Sequence, residues 1–319
     1  MVAGLDLRAL PKAEVHVHLE GCFGTADLAA RAAVHGDPLP RPADRLFDVA
    51  SFDEFLEFLS WSCGLLRTTK DVADAAYAYA QRAAASGIVR ADIIVNPTHW
   101  HSWRGDLAGF VGALDHGFTA AEQDGLPRVG ICVSILRLQS ASEAVELVER
   151  LVELRHPRVV ALSIDGNEAM SGRTGPRFAD VFHRAGRAGL KRTVHAGESS
   201  GPEGVRDALD LLGADRIDHG VRAVEDPALV DELAARGITL GVCPTSNLTL
   251  GICESLATHP IDTLRRAGVR VTVNTDDPGF LGIDLVGEYQ RCIDAFGWNE
   301  HVVRELAATS LDACFTEAP

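Results

Sequence analysis

Ala188-Gly-Leu-Lys-Arg-Thr-Val-His-Ala-Gly-Glu198 holds the unit from which the rest of the chain is built. Glycine just past a helical stretch closes the helix in the left-handed conformation, and the extended run Lys191–Ala196 follows it, with His195 and Glu198 at the far end. The same joint recurs at Ser86-Gly87-Ile88, Arg236-Gly237-Ile238 and Ala267-Gly268-Val269. Working outward from it gives eight extended runs: Glu14–Leu19, Ile88–Val95, Arg128–Ile135, Val159–Ile164, Lys191–Ala196, Arg216–His219, Thr239–Cys243 and Arg270–Asn274. Most are apolar on both faces, as parallel strands covered by helices must be. Amphipathic stretches lie between them, opened by a capping box at Ser140-Ala-Ser-Glu143 and by proline at a first helical position in Asp226-Pro227. Eight strands alternating with helices predict an α/β fold, a (β/α)8 TIM barrel running as one domain over residues 1–319.

One connection departs from the pattern. The stretch from about 22 to 87, after the first strand, is too long for a single crossover helix. It carries Phe52, Phe55, Leu56 and Leu59 at helical spacing, followed by Trp61. Either an amphipathic helix packs there on the barrel, or a helical lid covers the mouth of a pocket.

Composition narrows the function. The chain has 319 residues, 46% of them hydrophobic, and a net charge of −15. Such a surface does not compete for phosphate backbones, so the expected partner is a small molecule and not nucleic acid. Seven cysteines without a C-x-x-C pair suggest neither a disulfide framework nor a thiolate metal site, and read as reduced cytoplasmic thiols. A basic, apolar leader is not evident, and no run of about 18 apolar residues occurs, so neither export nor a membrane span is expected.

The chemistry sits at strand ends. His16-Val-His18 closes the first strand, where side chains two apart share a face. His195-Ala-Gly-Glu198 ends the fifth strand, His219 the sixth, and Asp276-Asp277-Pro278 follows the eighth. Each alone reads as a core histidine, a helix cap or a turn. In a barrel, however, all of them face one cavity at the C-terminal rim. Three imidazoles and one carboxylate suit Zn2+, with water completing the shell. No lysine ends a candidate strand, where a carbamate bridge between two metals would need one.

These motifs, from Leu10-Pro-Lys-Ala-Glu-Val-His-Val-His-Leu-Glu-Gly21 through Arg216-Ile-Asp-His-Gly220 and Cys243-Pro-Thr-Ser-Asn247 to Val273-Asn-Thr-Asp-Asp-Pro278, span nearly the whole chain. Together they resemble the adenosine deaminase family of the amidohydrolase superfamily. The resemblance implies one Zn2+ per subunit on His16, His18, His195 and Asp276. It implies Glu198 as the acid that protonates purine N1, and His219 as the group that orients and deprotonates the attacking water. Asp277 would face N7 and the attacking oxygen, Gly166 would offer its N–H to N3, and Phe52, Phe55, Leu56 and Leu59 would form the apolar lid, with His18 also bordering the substrate.

The implied reaction is hydrolytic deamination of a 6-aminopurine, with adenosine or 2′-deoxyadenosine ahead of adenine or a modified adenosine. Two positions bear on that order. Nucleoside-specific members usually carry aspartate where this chain has Glu20, whereas relatives that take free adenine carry glutamate there as this chain does, and Ser163-Ile-Asp-Gly-Asn-Glu168 differs from the Asp-Leu-Ala-Gly-Asp-Glu of nucleoside deaminases. The loop Asn96-Pro-Thr-His-Trp-His101, with Trp103, either shapes the pocket or is a surface loop anchored by its tryptophans. Amide or ester hydrolysis is a second enzymatic reading, and a metal-bearing binding protein a third. Glu198, three residues after His195, favours protonation of a heterocycle over the former, and the presence of all of Glu198, His219 and Asp277 speaks against the latter.

Overall fold

The computed structural model describes residues 5–49 and 51–318, with Phe52 and Asp53 described by their backbone alone. Eight parallel strands follow one another around the sheet in chain order: β1 (Lys12–His18), β2 (Ile88–Val95), β3 (Arg128–Leu136), β4 (Val159–Asp165), β5 (Lys191–Ala196), β6 (Arg216–His219), β7 (Thr239–Val242) and β8 (Arg270–Val273). The expected strands are present with ends within two residues. The largest difference is β1, which starts at Lys12 and stops at His18 because Leu19–Gly21 winds into a 3-10 turn. A lysine conceals the true start: Lys12 is buried, and its Nζ donates to the carbonyls of Leu7 (2.7 Å) and Leu10 (3.1 Å).

The glycines of all four helix-to-strand joints have positive φ, between 65° at Gly237 and 91° at Gly189. The Ser140 capping box forms at the start of the helix Ala141–Leu154, and Pro227 opens the helix Pro227–Arg236. No described helix is long and apolar enough to cross a membrane.

The long connection is helical: α1 (Thr25–His35), α2 (Phe52–Gly64) and α3 (Thr69–Ala85) lie between β1 and β2. Ser51 Oγ caps α2 by accepting the Glu54 N–H (3.1 Å). Phe55, Phe58 and Leu59 are buried. Phe55 and Phe58 pack against Phe280, from the short helix Pro278–Leu281 after β8, with ring centroids 4.7 and 5.8 Å apart, and Phe47 joins them at 5.4 Å. Of the expected apolar stripe, the Phe52 side chain lies outside the described residues.

β8 meets β1 across a short seam. Val17 bridges Asp276, the His18 N–H donates to the Asp276 carbonyl (2.8 Å), and the Asp276 N–H donates to the His16 carbonyl (3.2 Å). Below this bridge the Asn274 side chain substitutes for a ladder: its Oδ1 accepts the N–H groups of Val15 (2.9 Å) and His16 (3.2 Å), and its Nδ2 donates to Thr272 Oγ1 (3.0 Å). At the floor of the barrel the buried Arg216 pairs with Asp92 (2.6 Å), which also accepts the N–H groups of Phe315 (2.8 Å) and Thr316 (3.0 Å).

Replacing Asn274 by leucine orphans two buried N–H groups. At about 1–3 kcal/mol each, the expected loss is about 2–6 kcal/mol of unfolding free energy in urea denaturation. A loss below about 0.5 kcal/mol would remove Asn274 from the closure, since changes of that size are ordinary for surface positions.

Candidate metal and catalytic site

The C-terminal rim gathers the strand ends as the barrel requires. His16 and His18 enter from β1, His195 from β5, His219 from β6, and Asp276 from the loop after β8. His16 Nε2 lies 3.1 Å from His195 Nε2 and 3.3 Å from Asp276 Oδ1. His18 Nε2 lies 3.0 Å from His195 Nε2 and 3.4 Å from Asp276 Oδ1. Ligand atoms of His16, His195, His219 and Asp276 also fall within 4.8 Å of one another, so the geometry alone offers four imidazoles.

This donor set fits a cation. Two nitrogens bound at about 2.0–2.1 Å to a tetrahedral ion stand about 3.3 Å apart, close to the observed separations. The hydrogen bond of His16 agrees: its Nδ1 is 2.8 Å from the Gly241 carbonyl, so Nδ1 carries a proton and Nε2 is the atom turned inward. Burial opposes a charge on this ring, but Asp218 and Asp276 outweigh it and raise His16 to about 9, so without a cation a proton on Nε2 answers their charge. His195 Nδ1 stands 3.6 Å from Asp218 Oδ2. Burial holds His18 down to about 4 and His195 well below its ordinary value. Facing lone pairs of neutral imidazoles repel unless a proton or a cation lies between them. Burial opposes charge on Asp276 too, but His16, His219 and His18 outweigh it and hold the carboxyl well below its usual range. Ser246 Oγ fixes the other oxygen, Oδ2, at 2.7 Å.

Backbone strain is concentrated here. Three non-glycine residues among those described have positive φ, and two are His219 (63°) and Asp276 (62°). Such conformations persist where the surrounding structure imposes them, and they cluster at functional sites.

A pocket enclosing about 500 Å³ of empty space, the solvent at its open mouth included, lies above the cluster. Glu198, Asp277, Gly166, Glu20 and His18 line it, together with Phe55, Leu56 and Leu59 of α2. Glu198 Oε1 is 3.4 Å from His219 Nε2. Burial, then the charges of Asp276 and Glu168, push the Glu198 carboxyl up to about 8. Burial and the neighbouring Asp276 likewise raise Asp277, whose Oδ1 is buried without a hydrogen-bond partner. Glu20 is held by one oxygen, Oε1 accepting the Asn96 N–H (2.6 Å) and the Trp100 indole N–H (2.7 Å), while Oε2 is buried and unpaired.

The loop after β2 therefore divides its parts. Trp100 anchors Glu20, Trp103 Nε1 donates to the Leu66 carbonyl (2.9 Å), His99 lines the pocket with its Nδ1 2.8 Å from Ser60 Oγ, and His101 is exposed.

Several residues were not singled out from the sequence. Asp165 lines the pocket and accepts from Asn96 Nδ2 (2.6 Å); it ends β4, so the strand-end rule applied to β4 identifies it. Glu168 is buried, and its carboxylate accepts four successive N–H groups, of Gly197 (3.2 Å), Glu198 (2.8 Å), Ser199 (3.2 Å) and Ser200 (3.3 Å). It thereby moulds the turn that carries Glu198. Arg137, also buried, joins Glu168 to the His195 carbonyl. Asn247 and His259 lie behind His219. Nothing local in the sequence marks His259.

A parallel eight-stranded barrel with imidazoles and a carboxylate converging at its C-terminal rim, beside a buried protonatable carboxyl, defines a hydrolase of the amidohydrolase type. A model of the adenosine deaminase family matches residues 11–319, and the chain belongs to that family; it is a hydrolytic purine deaminase. An adenine deaminase of Rhodospirillum rubrum is 36% identical over 97% of this chain and 93% of its own. The crystal structure of an adenine deaminase from Arthrobacter aurescens superimposes with a TM-score of 0.91 at 30% identity, covering 97% of this chain and 95% of that one. An amidohydrolase from Burkholderia ambifaria, with bound Zn, superimposes at 0.89 and 27% identity over 99% and 90% of the two chains.

Gly21 passes so close to Asp277 that a Cβ would overlap its carboxylate. Gly21→Ala must displace Asp277, and kcat is expected to fall at least tenfold with an unchanged circular dichroism spectrum, the order seen when one transition-state contact is weakened. Wild-type kcat in this variant would show that the position of Asp277 is not critical.

Proposed function

We propose that the chain hydrolyses free adenine to hypoxanthine and ammonia, using one Zn2+ held by His16, His18, His195 and Asp276. When bound, zinc would make water an effective nucleophile at neutral pH. The protein's own groups do the rest. Glu198, raised by burial into the range where it is protonated near neutrality, gives its proton to N1, so that the ring accepts the electron pair released by attack at C6. His219 orients the attacking water, Asp277 faces N7 and the arriving oxygen, and the Gly166 N–H faces N3. Phe55, Leu56 and Leu59 exclude bulk water as part of a helical lid. The whole of 1–319 acts as one barrel domain on a small molecule in the cytoplasm, without nucleic acid or membrane.

The observation that carries the choice of substrate is Glu20. The sequence places adenosine ahead of adenine; the fixed carboxylate favours the reverse. Two donors pin Glu20 in place, and its unpaired Oε2 needs a hydrogen. Free adenine has an N–H on its imidazole ring to offer, whereas in a nucleoside a ribose replaces that hydrogen. No lysine or arginine is among the residues lining the pocket, which disfavours a phosphorylated substrate.

Ammonia release from adenine, adenosine, 2′-deoxyadenosine and AMP, measured side by side on zinc-loaded enzyme, tests this. Adenine should lead in kcat/KM by about 10⁴-fold, the discrimination that a site built to hydrogen-bond a missing group achieves. A nucleoside equal to adenine overturns the assignment. Glu198→Gln should lose about 10²–10⁴-fold in kcat with zinc content unchanged, and near-normal turnover would refute its role as the acid.

A further inference from the structure

Behind His219 runs a chain of hydrogen bonds whose direction is fixed at its outer end. Ile261 opens the helix Ile261–Arg266, and its backbone N–H, which has no acceptor within the helix, donates to His259 Nδ1 at 3.2 Å. A backbone N–H can only donate. The His259 ring therefore accepts at Nδ1 and carries its proton on Nε2. That nitrogen lies 3.1 Å from Asn247 Oδ1, which accepts the proton's hydrogen bond. With the amide oxygen so engaged, the Asn247 Nδ2 group points at His219 Nδ1, 3.2 Å away. An amide nitrogen donates, so His219 Nδ1 is an acceptor and the ring's single proton is on Nε2. All three side chains are buried, so water does not compete for these bonds. Reversing any one bond would face two donors or two acceptors in a buried place, at a cost of about 1–3 kcal/mol.

We propose that Asn247 and His259 are positioning residues that lock His219 with its proton on Nε2, making it a hydrogen-bond donor into the active site. The proposal rests on the deaminase reading only in assigning what the donor meets. His219 Nε2 is 3.4 Å from Glu198 Oε1 and 3.9 Å from Asp276 Oδ2, so its N–H points into the space between the acid and the carboxylate of the metal cluster. There it steadies the oxygen that arrives at C6. A nitrogen that already bears the proton cannot take another from the attacking water, so His219 is not the general base that the family resemblance implies. Nor has that nitrogen a lone pair for a cation. Of the four imidazoles that the geometry brings together, His16, His18 and His195 are left to bind metal.

The test reads the proton directly. Zinc-loaded enzyme labelled with 15N at histidine is examined by two-bond 1H–15N correlation, and the His219 ring is assigned by its loss in His219→Gln. Nε2 should be protonated and Nδ1 bare; a proton on Nδ1 overturns the proposal whether or not the enzyme turns over adenine. Asn247→Leu keeps the volume and removes both bonds. It should mix the His219 tautomers and lower kcat at least tenfold, while KM for adenine and zinc content stay within about twofold, a smaller loss than deleting a transition-state donor outright. A wild-type kcat and an unmixed tautomer in Asn247→Leu would overturn it. If that variant does not fold, His259→Leu breaks the outer link and should give the same two changes.

Discussion

The seam between β8 and β1 is the constraint on which the rest depends. Most neighbouring strands pair through several residues, but here the ladder is reduced to Val17 and Asp276, helped by the Asn274 side chain. The backbone groups of His16, His18 and Asp276 that close the barrel belong to the residues whose side chains form the cluster. Closure and assembly of the site are thus one event. The left-handed backbone of Asp276 follows from it, because the chain must turn there to hydrogen-bond with β1 and still aim its carboxylate at the imidazoles.

Much of the fold was legible in the sequence because its signals are local. A glycine at each helix end, an apolar run after it and a capping residue before the next helix are read within a few positions of one another. The residues of the cluster were legible for a related reason: His16, His18, His195 and His219 lie at or within two residues of the C-terminal ends of their strands and Asp276 in the loop after β8, and a parallel barrel places such ends around one mouth. The lysine opening β1 is the instructive miss, since a buried charge satisfied by two carbonyls looks like the edge of a loop.

What the sequence withheld are partnerships between distant loops. Glu168 receives the four N–H groups of Gly197, Glu198, Ser199 and Ser200 only because the β4 and β5 turns lie side by side. Trp100 meets Glu20 across 80 positions. His259 reaches His219 through Asn247, and neither spacing nor periodicity hints at it. These contacts do not make the chemistry, but they decide which way each reacting group faces and which of its atoms is free.

The packing of Phe280 against Phe47, Phe55 and Phe58 has a bearing on how such an enzyme can diverge. Phe280 lies three residues beyond Asp277, so the helix that borders the entrance and the segment that holds the carboxylates of Asp276 and Asp277 lean on one ring. A mutation that widens the entrance for a bulkier purine is felt at those carboxylates as well. The Glu20 side of the pocket is tied to the same segment, because Gly21 beside it passes within a Cβ's reach of Asp277. Changes of specificity along a lineage therefore disturb Asp277 from whichever side they begin, so that substrate preference drifts only where a second substitution restores the position of that carboxylate.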